Sequence, residues 1–115
     1  MNSIKWSLMI CDFWLSSYED MAKLLKDALG REYKVEELRL IGEGIWNISR
    51  IFNIREGFKR EDDTLPPKMF YEPLRGGKTD GKTVDLNQFK ESLTEYYKLR
   101  GWNEETGKPK EETLI

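Results

Sequence analysis

Apolar residues recur along this chain at spacings of three and four, the period of an amphipathic helix. Ser17 reads as an N-cap, with Tyr18, Glu19 and Asp20 in the first turn behind it. Met21, Leu24, Leu25 and Ala28 then share one stripe, and Gly30 stands where a helix gives way to a left-handed residue. A second helix starts near Val35. Its face is Leu38, Ile41, Ile45, Ile48 and Phe52, and Gly57 ends it. Gly44 inside that helix costs about 1 kcal/mol relative to alanine.

Residues 56–67 read as a charged loop closing on Pro66-Pro67. Pro67 suits the first position of a short helix running through Tyr71, and Pro73 stops it. Residues 75–83 form a glycine-rich polar loop. Asp85 caps a last helix, with Gln88 three residues later as in a capping box. Leu86, Phe89, Leu93, Tyr96 and Tyr97 face inward on it, and Gly101 ends it. The charged tail over about 103–115 is expected to fray, with room for one more turn over Glu111–Ile115. No stretch alternates as a strand does, and nothing repeats. The pattern predicts an all-α fold, a multihelical orthogonal bundle of four to five helices, as a single helical domain over 1–115.

The apolar run from Trp6 to Leu15 needs a separate reading. Asp12 interrupts it, and it falls short of the roughly 20 apolar residues a membrane span requires. It lacks the small residues of a signal-peptide cleavage site, and bulky Ile10 before Cys11 argues against a lipoprotein box. The expected location is therefore cytoplasmic, with no membrane contact. Charged residues make up 35% of the chain, and 19 basic against 21 acidic side chains leave a net charge of -2. No global basic field draws this protein to nucleic acid. Histidine is absent, which excludes a Ser-His-Asp triad, a Cys-His pair and His-ligated metal sites. One cysteine excludes an intrachain disulfide and any metal site built from this chain's thiolates alone.

Four features could carry chemistry. Residues 76–83, Gly-Gly-Lys-Thr-Asp-Gly-Lys-Thr, match the phosphate-loop pattern. That motif works between a buried strand and a helix that begins at its lysine. Here no strand precedes it, and the next helix begins only after Asp85, so a solvated loop is expected. Glu61-Asp62-Asp63 offers carboxylates to a hard cation, but adjacent loop residues seldom converge, and capping is the simpler role. Trp6, Phe13, Trp14, Trp46 and Trp102 lack a basic groove between them, which points to core and interface packing rather than base stacking. Cys11, in an apolar stretch, reads by default as a small buried hydrophobe.

One resemblance changes the reading of Cys11. Residues 45–58, Ile-Trp-Asn-Ile-Ser-Arg-Ile-Phe-Asn-Ile-Arg-Glu-Gly-Phe, run into Asp62-Asp63-Thr64-Leu65-Pro66. With Glu72-Pro73-Leu74, Val84-Asp85-Leu86 and 96–102, Tyr-Tyr-Lys-Leu-Arg-Gly-Trp, this resembles the C-terminal domain of the tungsten-containing aldehyde:ferredoxin oxidoreductases. Tyr33 to Leu38, and Cys11 before them, extend the likeness toward the N-terminus. The resemblance implies an all-helical domain packed against upstream domains around a tungstopterin and a [4Fe-4S] cluster. It implies that three cluster cysteines lie upstream and that the fourth, in an Asp-x-x-Gly-Leu-Cys motif, stands at Cys11. A soft thiolate suits iron, and one thiolate alone cannot hold a cubane.

This sequence departs from that motif at three places. Trp6 stands at the aspartate position, Met9 at the glycine and Ile10 at the leucine. The implied function is a fragment or subunit of a tungsten (or molybdenum) pterin aldehyde:ferredoxin oxidoreductase, contributing Cys11 to the cluster. Its partners would be a complementary oxidoreductase chain, or self-association, and ferredoxin through the full enzyme. The isolated chain is expected to bind no cofactor and to be inactive. The alternative is a stand-alone helical remnant, a structural or interaction module without redox activity, in which Trp6 and Met9 serve as packing residues. A domain of this kind exposes apolar surface, so Ile10, Phe13 and Trp14 are expected to be covered by a partner or by a second copy.

Overall fold

The computed structural model describes residues 2–11, 13–14 and 17–114. Five α-helices span Asn2–Ser7 (α1), Tyr18–Leu29 (α2), Val35–Arg55 (α3), Lys68–Tyr71 (α4) and Leu86–Leu99 (α5). Single 3₁₀ turns lie at Arg60–Asp62, Gly77–Thr79 and Glu111–Thr113. No strand occurs among the described residues, so the all-α expectation holds. The chain divides within α3 into two compact units, one up to Phe52 and one over Asn53–Leu114.

In the first unit the caps form as the sequence dictates. The Ser17 hydroxyl accepts the Asp20 N–H at 3.1 Å, and the Asp20 carboxylate accepts the Ser17 N–H at 2.8 Å. This reciprocal capping box starts α2. Gly30, at φ 69°, ends it by donating to the Lys26 carbonyl. Ile4, Met21 and Leu38 form the buried centre, with Ile10, Tyr18, Ala22, Leu25, Tyr33 and Ile45 packed against it. Each of the three buried side chains stabilises the fold by about 2 kcal/mol. Helix α1 had no counterpart in the sequence reading. It lies close on α3 because Gly42 has no side chain there. A Cβ at Gly42 would come within 3.2 Å of both Ile4 and the Ser3 hydroxyl. That hydroxyl donates to the Gly42 carbonyl at 3.0 Å.

The apolar face expected on α3 is covered over part of its length only. Leu38 is buried and Ile45 half-buried, whereas Ile41, Ile48 and Phe52 are exposed, Ile48 to 69%. Gly42, Asn47 and Arg50 are the other buried residues of α3. Periodicity marks a face as apolar; what covers it is a separate matter.

In the second unit, the Asp62 carboxylate accepts the Lys59 N–H at 2.7 Å and closes the Arg60–Asp62 turn. Helix α4 begins after Pro67, and Val84 donates back to the Met69 carbonyl. Phe70 and Phe89 meet edge to face with ring centres 5.6 Å apart. The Asp85 side chain accepts the Gln88 N–H and starts α5. Tyr97 and Trp102 are buried, their rings 5.8 Å apart, and the Arg60 guanidinium lies over the Tyr97 ring.

The segment from Asn103, expected to fray, is hydrogen-bonded. The Asn103 side chain accepts from the N–H groups of Glu105 and Thr106, and its own N–H donates to the Lys108 carbonyl at 2.7 Å. Thr113 donates its hydroxyl proton to the Gly101 carbonyl, and Lys110 its N–H to the same oxygen. Glu111–Thr113 forms the expected extra turn; Ile115 lies outside the described residues.

Candidate functional site

Cys11 follows directly on the end of α1, and three backbone hydrogen bonds set that end. Leu8 donates to the Ile4 carbonyl, Met9 to Trp6 at 3.1 Å and Ile10 to Lys5 at 2.8 Å. The nested pair from Ile10 and Met9 is a Schellman motif. It demands a left-handed residue at Met9, which sits at φ 54° and is the one described non-glycine residue with positive φ. The hydrophobic contact that accompanies such a motif is also present, since Ile10 packs on the cluster containing Ile4. The glycine position of the resembled motif thus keeps a glycine's backbone with a methionine in place. A side chain there costs on the order of 1 kcal/mol.

The chain then turns at Cys11, whose carbonyl accepts the Trp14 N–H at 3.1 Å. Lys5, only 5% exposed, donates from Nζ to the Trp14 carbonyl at 2.7 Å. Cys11 itself is exposed, which corrects the default reading of a buried thiol. Around it Met9 is 93% and Phe13 95% exposed, and Trp6 and Trp14 each about half. Met9 is therefore not buried as a packing residue, while Trp6 is half-covered within its own unit. Of the three residues expected to need cover, Phe13 and Trp14 are open, while Ile10 is sheltered by its own unit. Asp12 and Leu15, named in the sequence reading of this stretch, lie outside the described residues.

A thiolate at Cys11 can reach one metal ion. Among the described residues no three His, Cys, Asp or Glu side chains come together to hold one. Cys11 thus fits the role of one ligand in a set completed from elsewhere, and does not fit a self-contained cluster.

The remaining candidates resolve into structural roles. In the phosphate-loop lookalike, Asp80 accepts the Gly76 N–H at 2.6 Å, so a carboxylate of the loop itself takes an amide that would face an anion. The residues before it form no strand, and Gly77–Thr79 is a 3₁₀ turn. The acidic trio diverges. Asp62 caps its own turn, while Asp63 accepts a hydrogen bond from the Tyr97 hydroxyl. Of the five aromatics, Trp102 alone is buried. The sequence reading passed over Lys5 and Arg60. Arg60 donates to the Glu104 carbonyl at 2.6 Å and to the Thr94 hydroxyl at 2.8 Å, knitting the loop to α5 and the tail. A lysine set between Ile4 and Trp6 was the available signal for Lys5.

The described residues thus make an all-helical class of domain with one exposed thiol beside exposed apolar side chains. Comparison with known proteins makes that class specific. The family model for aldehyde ferredoxin oxidoreductase, domains 2 & 3, matches residues 1–115. The tungsten-containing aldehyde ferredoxin oxidoreductase of Pyrococcus furiosus is 46% identical over 94 residues, and that of Thermococcus kodakarensis 42%. Each alignment covers 81% of this chain and 15% of the relative, so the chain spans about 15% of the length of these relatives. An aliphatic sulfonate oxidoreductase, WOR-like subunit, from Pyrococcus furiosus is 33% identical over 115 residues, covering 94% of this chain and 18% of the relative. Among solved structures, the active site complex BamBC of benzoyl coenzyme A reductase matches with a TM-score of 0.68 and 30% identity, over 86% of this chain and 13% of that one. The chain belongs to the aldehyde ferredoxin oxidoreductase family.

Proposed function

We propose that this chain forms part of a tungsten (or molybdenum) pterin aldehyde:ferredoxin oxidoreductase, in which Cys11 is one ligand of a [4Fe-4S] cluster. The observation that carries this reading is the exposed Cys11 thiol, set two residues after a left-handed Met9. Family membership over the whole chain supports it. The cluster, when bound, supplies one-electron transfer toward ferredoxin. This chain's contribution is to give up the Cys11 proton and hold the thiolate at a fixed place. The other thiolates and most of the pterin site come from upstream domains or a complementary chain. The aldehyde is oxidised to a carboxylic acid in that larger assembly, in the cytoplasm. The structural neighbour is itself a complex, and no helix among the described residues is long and apolar enough to cross a membrane.

The test is anaerobic affinity isolation of the tagged chain from its native cells, with tungsten, molybdenum and iron measured on the eluate. A larger oxidoreductase polypeptide arriving with tungsten or molybdenum and about four irons supports the reading. A metal-free chain, alone or self-associated, contradicts it.

A further inference from the structure

We infer that Lys5 is the positioning residue for Cys11, holding the cysteine turn onto α1 through the Trp14 carbonyl. This rests on the reading of Cys11 as a cluster ligand. Lysine is almost never buried unless its charge is met, because taking an ammonium from water is costly. Lys5 nevertheless lies 5% exposed in a unit whose centre is apolar, and its Nζ meets the Trp14 carbonyl at 2.7 Å. It occupies the last turn of α1, where a cation is favoured by the helix carbonyls.

Lys5 and Trp14 brace the cysteine from two sides. On one side, the Lys5 carbonyl accepts the Ile10 N–H and fixes the residue before Cys11. On the other, the Lys5 ammonium holds the Trp14 carbonyl while the Trp14 N–H holds the Cys11 carbonyl. Backbone and side chain of one residue thus pin both flanks of the thiol. Phe13, at 95% exposure, has little packing that could do this instead, and Trp14 is only half-covered. A ligand that contributes one thiolate to a cluster assembled from two places needs such preorganisation, since loose geometry there lowers the chance of closing the site.

Amide hydrogen exchange on the full chain tests this with Lys5→Met, which keeps size and loses the donor, and Lys5→Arg, which keeps the charge. In Lys5→Met the Trp14 amide should exchange roughly ten- to a hundredfold faster, the loss of one charged hydrogen bond. The Leu25 and Gly42 amides should hold their rates, and Lys5→Arg should restore protection at Trp14. Unchanged exchange at Trp14 in Lys5→Met, or equal loss in both variants, would overturn the inference. If Lys5→Met does not fold, reductive methylation of the unaltered chain decides: Lys5 should react at least roughly tenfold more slowly than exposed Lys26, and equal rates would overturn the inference. Iron in the affinity-isolated assembly separates the two readings. Cys11→Ser losing iron while Lys5→Met retains it would sink the role of Lys5 and leave the ligand standing. Cys11→Ser retaining iron would sink the ligand, and the positioning role with it.

Discussion

Met9 is where the departure from the resembled motif has its clearest physical consequence. The Schellman end of α1 asks for positive φ, and methionine supplies it against its steric preference. Met9→Gly should therefore stabilise the chain by about 1 kcal/mol, less any gain in unfolded-chain entropy. The side chain, 93% exposed, loses almost no packing in the exchange. A thermal melt that moves down would show that Met9 makes contacts worth more than its strain. At Ser17 the capping box leads to a second expectation. Ser17→Ala should cost about 1 kcal/mol in urea unfolding. Hydrogen bonds from Ser17 hold the Asp20 carboxyl below its ordinary value of 3.8. A carboxyl lowered in the folded state adds stability above its unfolded pKa and loses it as pH falls through the folded one. The gap in stability between the unaltered chain and Asp20→Asn should accordingly shrink as the pH drops below about 4. A gap that stays constant down to pH 2 would contradict the cap as its source.

At the scale of elements, α2 and α5 were legible because their signals are local. Ser17 and Asp85 are caps whose bonds form with residues three positions on. Helix α1 was hidden, since six residues carry too little period and its end is marked by a methionine rather than a glycine. The bonding within the tail was hidden for a different reason. Its charge suggested fraying, but its order comes from the Asn103 side chain and from Thr113 reaching Gly101 across twelve positions. Such bonds have no periodic signature. Helix α3 divides the two cases, with Leu38 buried and Ile48 exposed on one apolar face. Leu38→Ala should cost roughly 2–5 kcal/mol in the isolated chain. Ile48→Ala should stay within about 0.5 kcal/mol there. Comparable losses at the two positions in chemical denaturation would mean that the face is covered even in the isolated chain, as by a second copy.

For the molecule as a whole, family and fold were readable, and the candidate site only in part. Motif order from Cys11 to Trp102 pointed to the oxidoreductase family. Composition alone left Cys11 as a buried hydrophobe, because a thiol's exposure is decided by the path of the backbone around it. That path depends on Lys5 and Met9, whose bonds no motif announces. The central claim is that Cys11 ligates iron within a larger assembly. It is tested most directly by isolating that assembly anaerobically with the unaltered chain and with Cys11→Ser, then measuring iron per complex. Cys11 is exposed and outside the buried cluster, so serine should leave the melting temperature of the chain alone within about 2 °C. The account predicts about four irons with cysteine and a loss of most of them with serine. Full iron occupancy in the Cys11→Ser assembly would contradict it.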